Sequence, residues 1–101
     1  MRLVLCTCPQ DSADSIADAI LKDRLTACVN IIPGVKSKYW WKGQLSADSE
    51  SLLIMKTRAD LVTALTARIK EVHPYEVPEI IAFEIKEGNA DYLRWIAEET
   101  R

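Results

Sequence analysis

Glycine is scarce in this sequence: the 101 residues include only three, at positions 34, 43 and 88. Phosphate-binding loops and nucleophile elbows need two or more glycines at short fixed spacings, so glycines this scattered exclude both. The zinc-protease pattern HExxH is also absent, because the sequence has a single histidine. These absences predict a protein without enzymatic activity.

A basic excess and a long apolar run are missing as well. The net charge is −2 and the isoelectric point about 5.4, whereas proteins that grip nucleic-acid phosphates usually carry an excess of lysine and arginine. No apolar run approaches the ~20 residues of a membrane span, and the run Leu3–Cys8 is stopped by Pro9. We therefore expect no nucleic-acid partner, no membrane partner and no signal peptide. The odd number of cysteines is typical of reduced thiols and predicts a cytoplasmic location.

What is present is the pattern of a single α+β domain covering residues 1–101. Hydrophobic residues make up 49 %, enough to bury a core. Apolar runs alternate with helical stripes, such as the i, i+3, i+4 pattern from Ala13 to Leu25. In chain order the sequence predicts a strand at Leu3–Cys8, a helix capped by Asp11 or Ser12, a hairpin pairing Ala27–Trp41 with Leu52–Thr57, a helix from Thr57 or Arg58 to His73, a strand at Ile80–Ile85, and a last helix capped by Asn89. This βαββαβ order with an extra C-terminal helix predicts a ferredoxin-like sandwich.

The hairpin between the second and third strands is too long for a domain of this size. Residues 27–41 span roughly 50 Å when extended, compared with a diameter of about 33 Å for a compact chain of this length. A kink or bulge is expected at Pro33-Gly34, where one ladder N–H is missing. The overhanging end would carry Tyr39, Trp40 and Trp41, and exposed aromatics on a strand edge need to be covered. We expect an oligomer, the alternative being a hairpin that curls back over its own sheet.

Five segments in order along the chain form a specific combination. They are VLCT at 4–7, ACVNIIPGV at 27–35, YWWKG at 39–43, MKT at 55–57 and HPYEVPEI at 73–80. Together they resemble the CutA family, the divalent-cation tolerance proteins, over Leu3 through Trp95. The resemblance implies a ferredoxin-like homotrimer similar to the PII signalling proteins, with long hairpins that cross to neighbouring subunits. It also implies a non-enzymatic role in tolerance to copper and other divalent metals, with metal binding in some members.

The cysteines are candidate metal ligands with a simpler alternative. Cys6 and Cys8 lie two residues apart, so both point to one face of a regular strand. Thiolates favour soft ions such as Cu(I) or zinc, but two small residues buried in the core are the favoured interpretation. Cys28 is interpreted as a core or interface residue. The family resemblance ties Cys6, and not Cys8, to metal binding.

His73 is the only imidazole, and it ends a helix immediately before Pro74. This position suits a metal ligand or a proton-sensitive switch, and equally a residue that hydrogen-bonds the last helical carbonyls. In some bacterial members of the resembled family two adjacent histidines precede the Pro-Tyr pair, and Val72 stands at the first of those positions. Glu79 is the candidate that completes a mixed site with Cys6 and His73, better suited to Zn(II) or Cu(II) than to Cu(I).

A second group of candidates comprises Tyr39, Trp41, Glu50, Lys56 and Tyr75. A lysine amid Leu53-Ile54-Met55 is unusual in a strand, and a half-buried ammonium needs a carboxylate or an anionic ligand. Glu50 is the expected carboxylate. The group predicts either a polar pocket between subunits or a structural ion pair inside an interface.

Two functions follow from these patterns. The first is a trimeric, non-enzymatic protein of divalent-cation tolerance that binds copper or another divalent ion weakly through Cys6 and His73. The alternative is a PII-like signalling or adaptor trimer whose clefts between subunits bind a small anionic metabolite with Lys56 as its charge partner. A hydrolase of the acylphosphatase kind is the least favoured, because Arg2, Arg24 and Asn30 show no phosphate-binding loop pattern.

Overall fold

Four strands and three helices follow one another in the order that the sequence predicts. A computed structural model describes all 101 residues. The elements are β1 (Arg2–Pro9), α1 (Ala13–Lys22), β2 (Cys28–Trp41), β3 (Gln44–Thr57), α2 (Val62–Val72), β4 (Ile80–Glu84) and α3 (Ala90–Glu99). Short 3₁₀ turns lead into α1 and α2. The prediction of a βαββαβ fold with an added C-terminal helix is confirmed.

The strands form one antiparallel sheet in the order β2-β3-β1-β4. β1 is central and pairs along its whole length with the second half of β3, so that Arg2 lies opposite Thr57 and Pro9 opposite Glu50. β4 pairs only with residues 2–6 of β1. This strand order is that of a ferredoxin-like sheet.

One face of the sheet carries the core. Every second residue of β1 is fully buried, namely Val4, Cys6 and Cys8, and the neighbouring β3 contributes Leu53 and Met55. The helices supply the opposite side of this core with Ile16, Ile20, Leu65 and Ile69. Burial of each large aliphatic side chain contributes about 1.5–3 kcal/mol. Cys6 and Cys8 therefore point together into the core, as two residues of one strand face do.

The other face of the sheet is largely uncovered. Strand alternation places Leu5, Ile54 and Ile81 on this face, because they lie opposite one another in the ladder. Ile32, Ile81 and Phe83 expose 44 %, 46 % and 49 % of their surface. We call this surface the open face. Its apolar residues are those that a partner would be expected to cover.

The hairpin of β2 and β3 extends well beyond the rest of the sheet. Residues 44–49 of β3 have no partner in β1, and Lys42-Gly43 forms the tight turn with φ values of 49° and 77°. The molecule measures 44 × 25 × 22 Å, and its long dimension is close to the roughly 46 Å of an extended strand of 14 residues. The hairpin therefore does not curl back over the sheet. The predicted irregularity at Pro33-Gly34 is confirmed by the register shift between Ile32 and Val35.

The expected side-chain cap of α1 is wrong and that of α3 is right, and α2 begins at Val62, after the predicted start at Thr57 or Arg58. Ser12 precedes α1 without a side-chain capping bond, because a 3₁₀ turn already occupies Gln10–Ser12. Thr57 remains in β3, where its hydroxyl donates to the Leu25 carbonyl at 2.7 Å. Asn89 caps α3, since its side-chain oxygen accepts from the backbone N–H of Asp91 at 2.9 Å. β3 also begins at Gln44, eight residues before the predicted Leu52.

Candidate functional site: the His73 corner and the adjoining cleft

His73 ends α2 with extended backbone angles, φ −82° and ψ 136°, as Pro74 requires. Its Nε2 lies 2.8 Å from the Thr7 carbonyl oxygen, and its Nδ1 lies 3.0 Å from the backbone nitrogen of Tyr75. A carbonyl can only accept and a backbone N–H can only donate, so the ring carries its hydrogen on Nε2. The side chain therefore joins the end of β1 to the turn after α2. No nitrogen lone pair of this ring is left free.

Cys6 meets His73 at the same carbonyl. The Cys6 Sγ lies 3.6 Å from the Thr7 oxygen, and Cys6 itself is fully buried. Burial raises the pKa of the Cys6 thiol to about 12, and the charges of Cys8, Glu79 and Glu50 act in the same direction. The thiolate that metals prefer is therefore disfavoured here.

The three predicted metal ligands approach one corner but do not form a ready donor set. Glu79 is exposed, although its charge is felt at Cys6. No group of three histidine, cysteine or acidic side chains in the chain is placed to hold a metal ion. Structural zinc sites are closed by four ligands, and catalytic ones by three. The residues present therefore do not fit a tight metal site without rearrangement.

A cleft of about 770 Å³ adjoins this corner, between the hairpin and the segment after His73. Glu50 lies in it and is only 5 % exposed, and its Oε2 accepts a hydrogen bond of 2.8 Å from the Tyr75 hydroxyl. Burial, the bond to Glu50 and the nearby negative charge all raise the pKa of Tyr75. Four of the five residues in the second predicted group therefore line one cleft: Tyr39, Trp41, Glu50 and Tyr75.

The hairpin wall of the cleft includes two aromatic side chains, Tyr39 and Trp41. Tyr39 donates a hydrogen bond to the carboxylate of Asp48, and this bond is the main cause of a raised pKa of Tyr39. Trp41 is 49 % exposed, and the Lys42 ammonium lies 5.8 Å from the centroid of its ring. The ring face is thus within reach of a cation.

Lys56 is not part of this cleft, and the expected pairing with Glu50 is wrong. The two residues are six apart on the same strand, about 20 Å along it, and the Lys56 ammonium binds the side-chain oxygen of Asn30. Its other neighbour is the Cys28 sulfur at 3.9 Å. Sequence reasoning missed this pairing because it depends on the register that sets Lys56 opposite Cys28 in β2.

Several residues of the site were not predicted. Thr7 contributes a backbone oxygen, which no side-chain pattern could have indicated. The cleft is also lined by Lys36 and Lys38 from the hairpin and by Glu76 from the segment after His73. Glu76 falls inside the segment HPYEVPEI that was singled out for its resemblance, and the two lysines alternate with Ser37 in the overhanging strand.

The fold and the sheet order place the chain among the ferredoxin-like α+β sandwiches. The model of the CutA1 divalent ion tolerance protein family matches residues 2–99, so the chain belongs to this family.

Individual relatives agree with this assignment. The chain is 48 % identical over 99 residues to the divalent-cation tolerance protein CutA of Thermus thermophilus, covering 97 % of this chain and 96 % of the relative. It is 48 % identical over 100 residues to the chloroplastic protein CutA 1 of rice, covering 98 % of this chain. It spans 56 % of that rice protein and 54 % of the mouse protein CutA, about half the length of these relatives.

Solved structures show the same fold. The structure of the Thermus thermophilus protein has a TM-score of 0.96 at 47 % identity, with both chains covered completely. The structure of rice CutA1 has a TM-score of 0.96 at 46 % identity, covering 99 % of this chain and 93 % of that one. None of the helices of this chain is long and apolar enough to cross a membrane.

Proposed function

We propose that this chain acts as a homotrimer without enzymatic activity in tolerance to divalent cations, and binds copper or another divalent ion weakly at the corner of Cys6, His73 and Glu79. The family assignment carries the tolerance role. The convergence of Cys6 and His73 on the Thr7 carbonyl supports the choice of the corner. Glu79 adds a carboxylate whose charge reaches the Cys6 thiol.

Binding at this corner is expected to be weak for physical reasons. An incoming ion must displace either the Thr7 carbonyl or the Tyr75 N–H from the imidazole of His73. It must also take the proton from a buried thiol, and both steps subtract from the affinity. Val72 stands before His73, where a second imidazole would have helped.

The open face and the overhanging hairpin support the oligomer. Trp40 and Leu45 at the end of the hairpin are 70 % and 71 % exposed, and residues 44–49 pair with β2 alone. A paired but unsupported hairpin with aromatic side chains is stable when a second copy packs against it.

Three free cysteines agree with a cytoplasmic location, although relatives are named chloroplastic in rice and periplasmic in Archaeoglobus fulgidus.

Calorimetric titration tests the metal site. Cu(II) and Zn(II) are titrated into the wild type, Cys6→Ser and His73→Ala, with Cys28→Ser as the matched control because Cys28 lies away from the corner. We expect a weaker binding isotherm in each of the first two variants and an unchanged one in the control. The corner is the wrong site if neither Cys6→Ser nor His73→Ala alters the isotherm. Sedimentation at micromolar concentration tests the trimer, and a clean monomer would contradict it.

The PII-like alternative, a sensor of a small anionic metabolite, finds less support. The cleft is large enough for a small molecule, but the lysine assigned to hold the anion is bound to Asn30 elsewhere. Three acidic residues, Glu50, Glu76 and Glu79, line the cleft and outnumber the two lysines there, so the balance of charge does not favour an anion.

A further inference from the structure

Glu50 is a buried carboxylate without a cation. The residue is 5 % exposed, and the Tyr75 hydroxyl is the hydrogen-bond partner of its Oε2. No lysine, arginine or histidine nitrogen lies within 4.0 Å of it, since the five ion pairs of the chain all lie elsewhere. Buried carboxylates are usually paired with a cation, because desolvation without compensation costs several kcal/mol.

The surroundings of Glu50 show which kind of cation would fit. Tyr39, Trp41 and Tyr75 line the same cleft, and aromatic faces attract cations through the ring quadrupole. The Lys42 ammonium already lies 5.8 Å from the centre of the Trp41 ring. A carboxylate beside aromatic rings is the environment in which proteins hold organic ammonium groups.

A metal ion fits this cleft poorly. A divalent ion needs several oxygen or nitrogen donors at about 2.0–2.6 Å, and no three acidic, histidine or cysteine side chains are close enough to supply them. An ammonium group is satisfied with one carboxylate and a few hydrogen-bond acceptors.

We propose that the cleft binds a small organic molecule through its primary ammonium group, with Glu50 as the counter-charge and Tyr39, Trp41 and Tyr75 against its apolar body. Such a group occurs in simple amines and in amino acids. Lys36 and Lys38 line the same cleft, so they would hold the carboxylate of an amino acid. This site uses neither the thiol of Cys6 nor the imidazole of His73, and Glu79 is the one residue that both lines the cleft and belongs to the proposed metal corner.

Three matched probes test the proposal by two-dimensional NMR titration of the full chain. The probes are phenethylamine, L-phenylalanine and the neutral 2-phenylethanol, in phosphate buffer because Tris is itself a primary amine. We expect phenethylamine or L-phenylalanine to shift the signals of residues 36–41 and 74–79 with millimolar affinity or better. Tighter binding of the amino acid indicates an amino-acid site with Lys36 and Lys38 on its carboxylate, and tighter binding of the amine indicates a simple-amine site. 2-Phenylethanol is expected to bind at least about tenfold more weakly, since a hydrogen bond to a charged group contributes about 1.5–3 kcal/mol.

The variant Glu50→Gln isolates the charge, because its amide oxygen can still accept the Tyr75 hydrogen bond and the fold is retained. Binding of the ammonium probes should weaken about tenfold in this variant, and remain unchanged in Glu87→Gln, an exposed control outside the cleft. The proposal is overturned if neither ammonium probe binds at 10 mM, if the alcohol binds as well as the amine, or if Glu50→Gln binds the probes as the wild type does. It is also overturned if Glu50→Gln dissociates the oligomer, because the counter-charge would then come from another copy of the chain.

Discussion

Replacing His73 with alanine should destabilise the fold severely, because this buried side chain joins the end of β1 to the turn after α2. The substitution removes two hydrogen bonds, of 2.8 Å to the Thr7 carbonyl and 3.0 Å from the Tyr75 N–H. Each contributes about 0.5–1.5 kcal/mol, and an unsatisfied buried partner adds to the loss. His73 is only 7 % exposed, so removal of its side chain also leaves a cavity. We expect a loss of about 3 kcal/mol, roughly a fifth to three fifths of the stability of an ordinary domain.

Urea unfolding followed by circular dichroism measures this loss, at one fixed protein concentration because oligomers unfold in a concentration-dependent way. For a slope of about 2 kcal/mol per M, the midpoint should fall by about 1.5 M. Lys70→Ala, an exposed change on the same helix, should move the free energy of unfolding by less than about 0.5 kcal/mol. A loss below about 1 kcal/mol for His73→Ala would refute the reasoning, because the two bonds would then be dispensable. The metal titration of this variant is therefore to be performed at low temperature, where it remains folded.

Four further predictions concern the core, a helix cap and the thiols. Leu65→Ala should cost about 2–5 kcal/mol in calorimetric unfolding, since Leu65 is fully buried between the helices and the sheet; a cost below 1 kcal/mol would contradict the described packing. Asn89→Ala should cost about 0.5–2 kcal/mol, because its side chain accepts from two N–H groups of α3, while the exposed Gln44→Ala should cost almost nothing. Iodoacetamide at pH 8 should alkylate Cys28 before Cys6, as followed by mass spectrometry. A pKa of about 12 in place of 9.0 leaves Cys6 with roughly a thousandfold less thiolate, the reactive form. Equal rates for the two cysteines would contradict the burial of Cys6. The raised pKa also means that, between pH 9 and 12, Cys6 keeps its proton in the folded protein and loses it in the unfolded chain. The free energy of unfolding should therefore decrease as the pH rises through this range. The decrease should be less steep in Cys6→Ala.

The features that the sequence predicted correctly are those that adjacent residues determine. Pro74 prevents helical torsions at His73, so the end of α2 follows from two neighbouring residues. Pro33-Gly34 interrupts the ladder wherever the partner strand lies, and Asn89 caps whichever helix follows it. Each of these inferences needed no knowledge of tertiary structure.

The features that were missed depend on which distant residues meet. The pairing of Lys56 with Asn30, in place of Glu50, follows from the register of β2 against β3. The bond from His73 to Thr7 joins residues 66 apart, and its acceptor is a backbone oxygen. Every residue type has this oxygen, so the identity of residue 7 could not indicate the bond. The missing cap at Ser12 has another cause: a 3₁₀ turn and an α-helix compete at the same short segment, and both accept the same residue types.

Lys56 and Glu50 lie at the two ends of an apolar stretch of the open face on β3. Both lie on this side of β3, with the apolar Leu52 and Ile54 between them. A second copy that covers the apolar middle would therefore leave the two charges at opposite borders of the contact. Glu50 lies where the hairpin begins to overhang, at the border of this apolar stretch. Apolar contact and ligand binding would thus use different residues of one strand, so a change at Ile54 is expected to act on assembly and a change at Glu50 on the cleft.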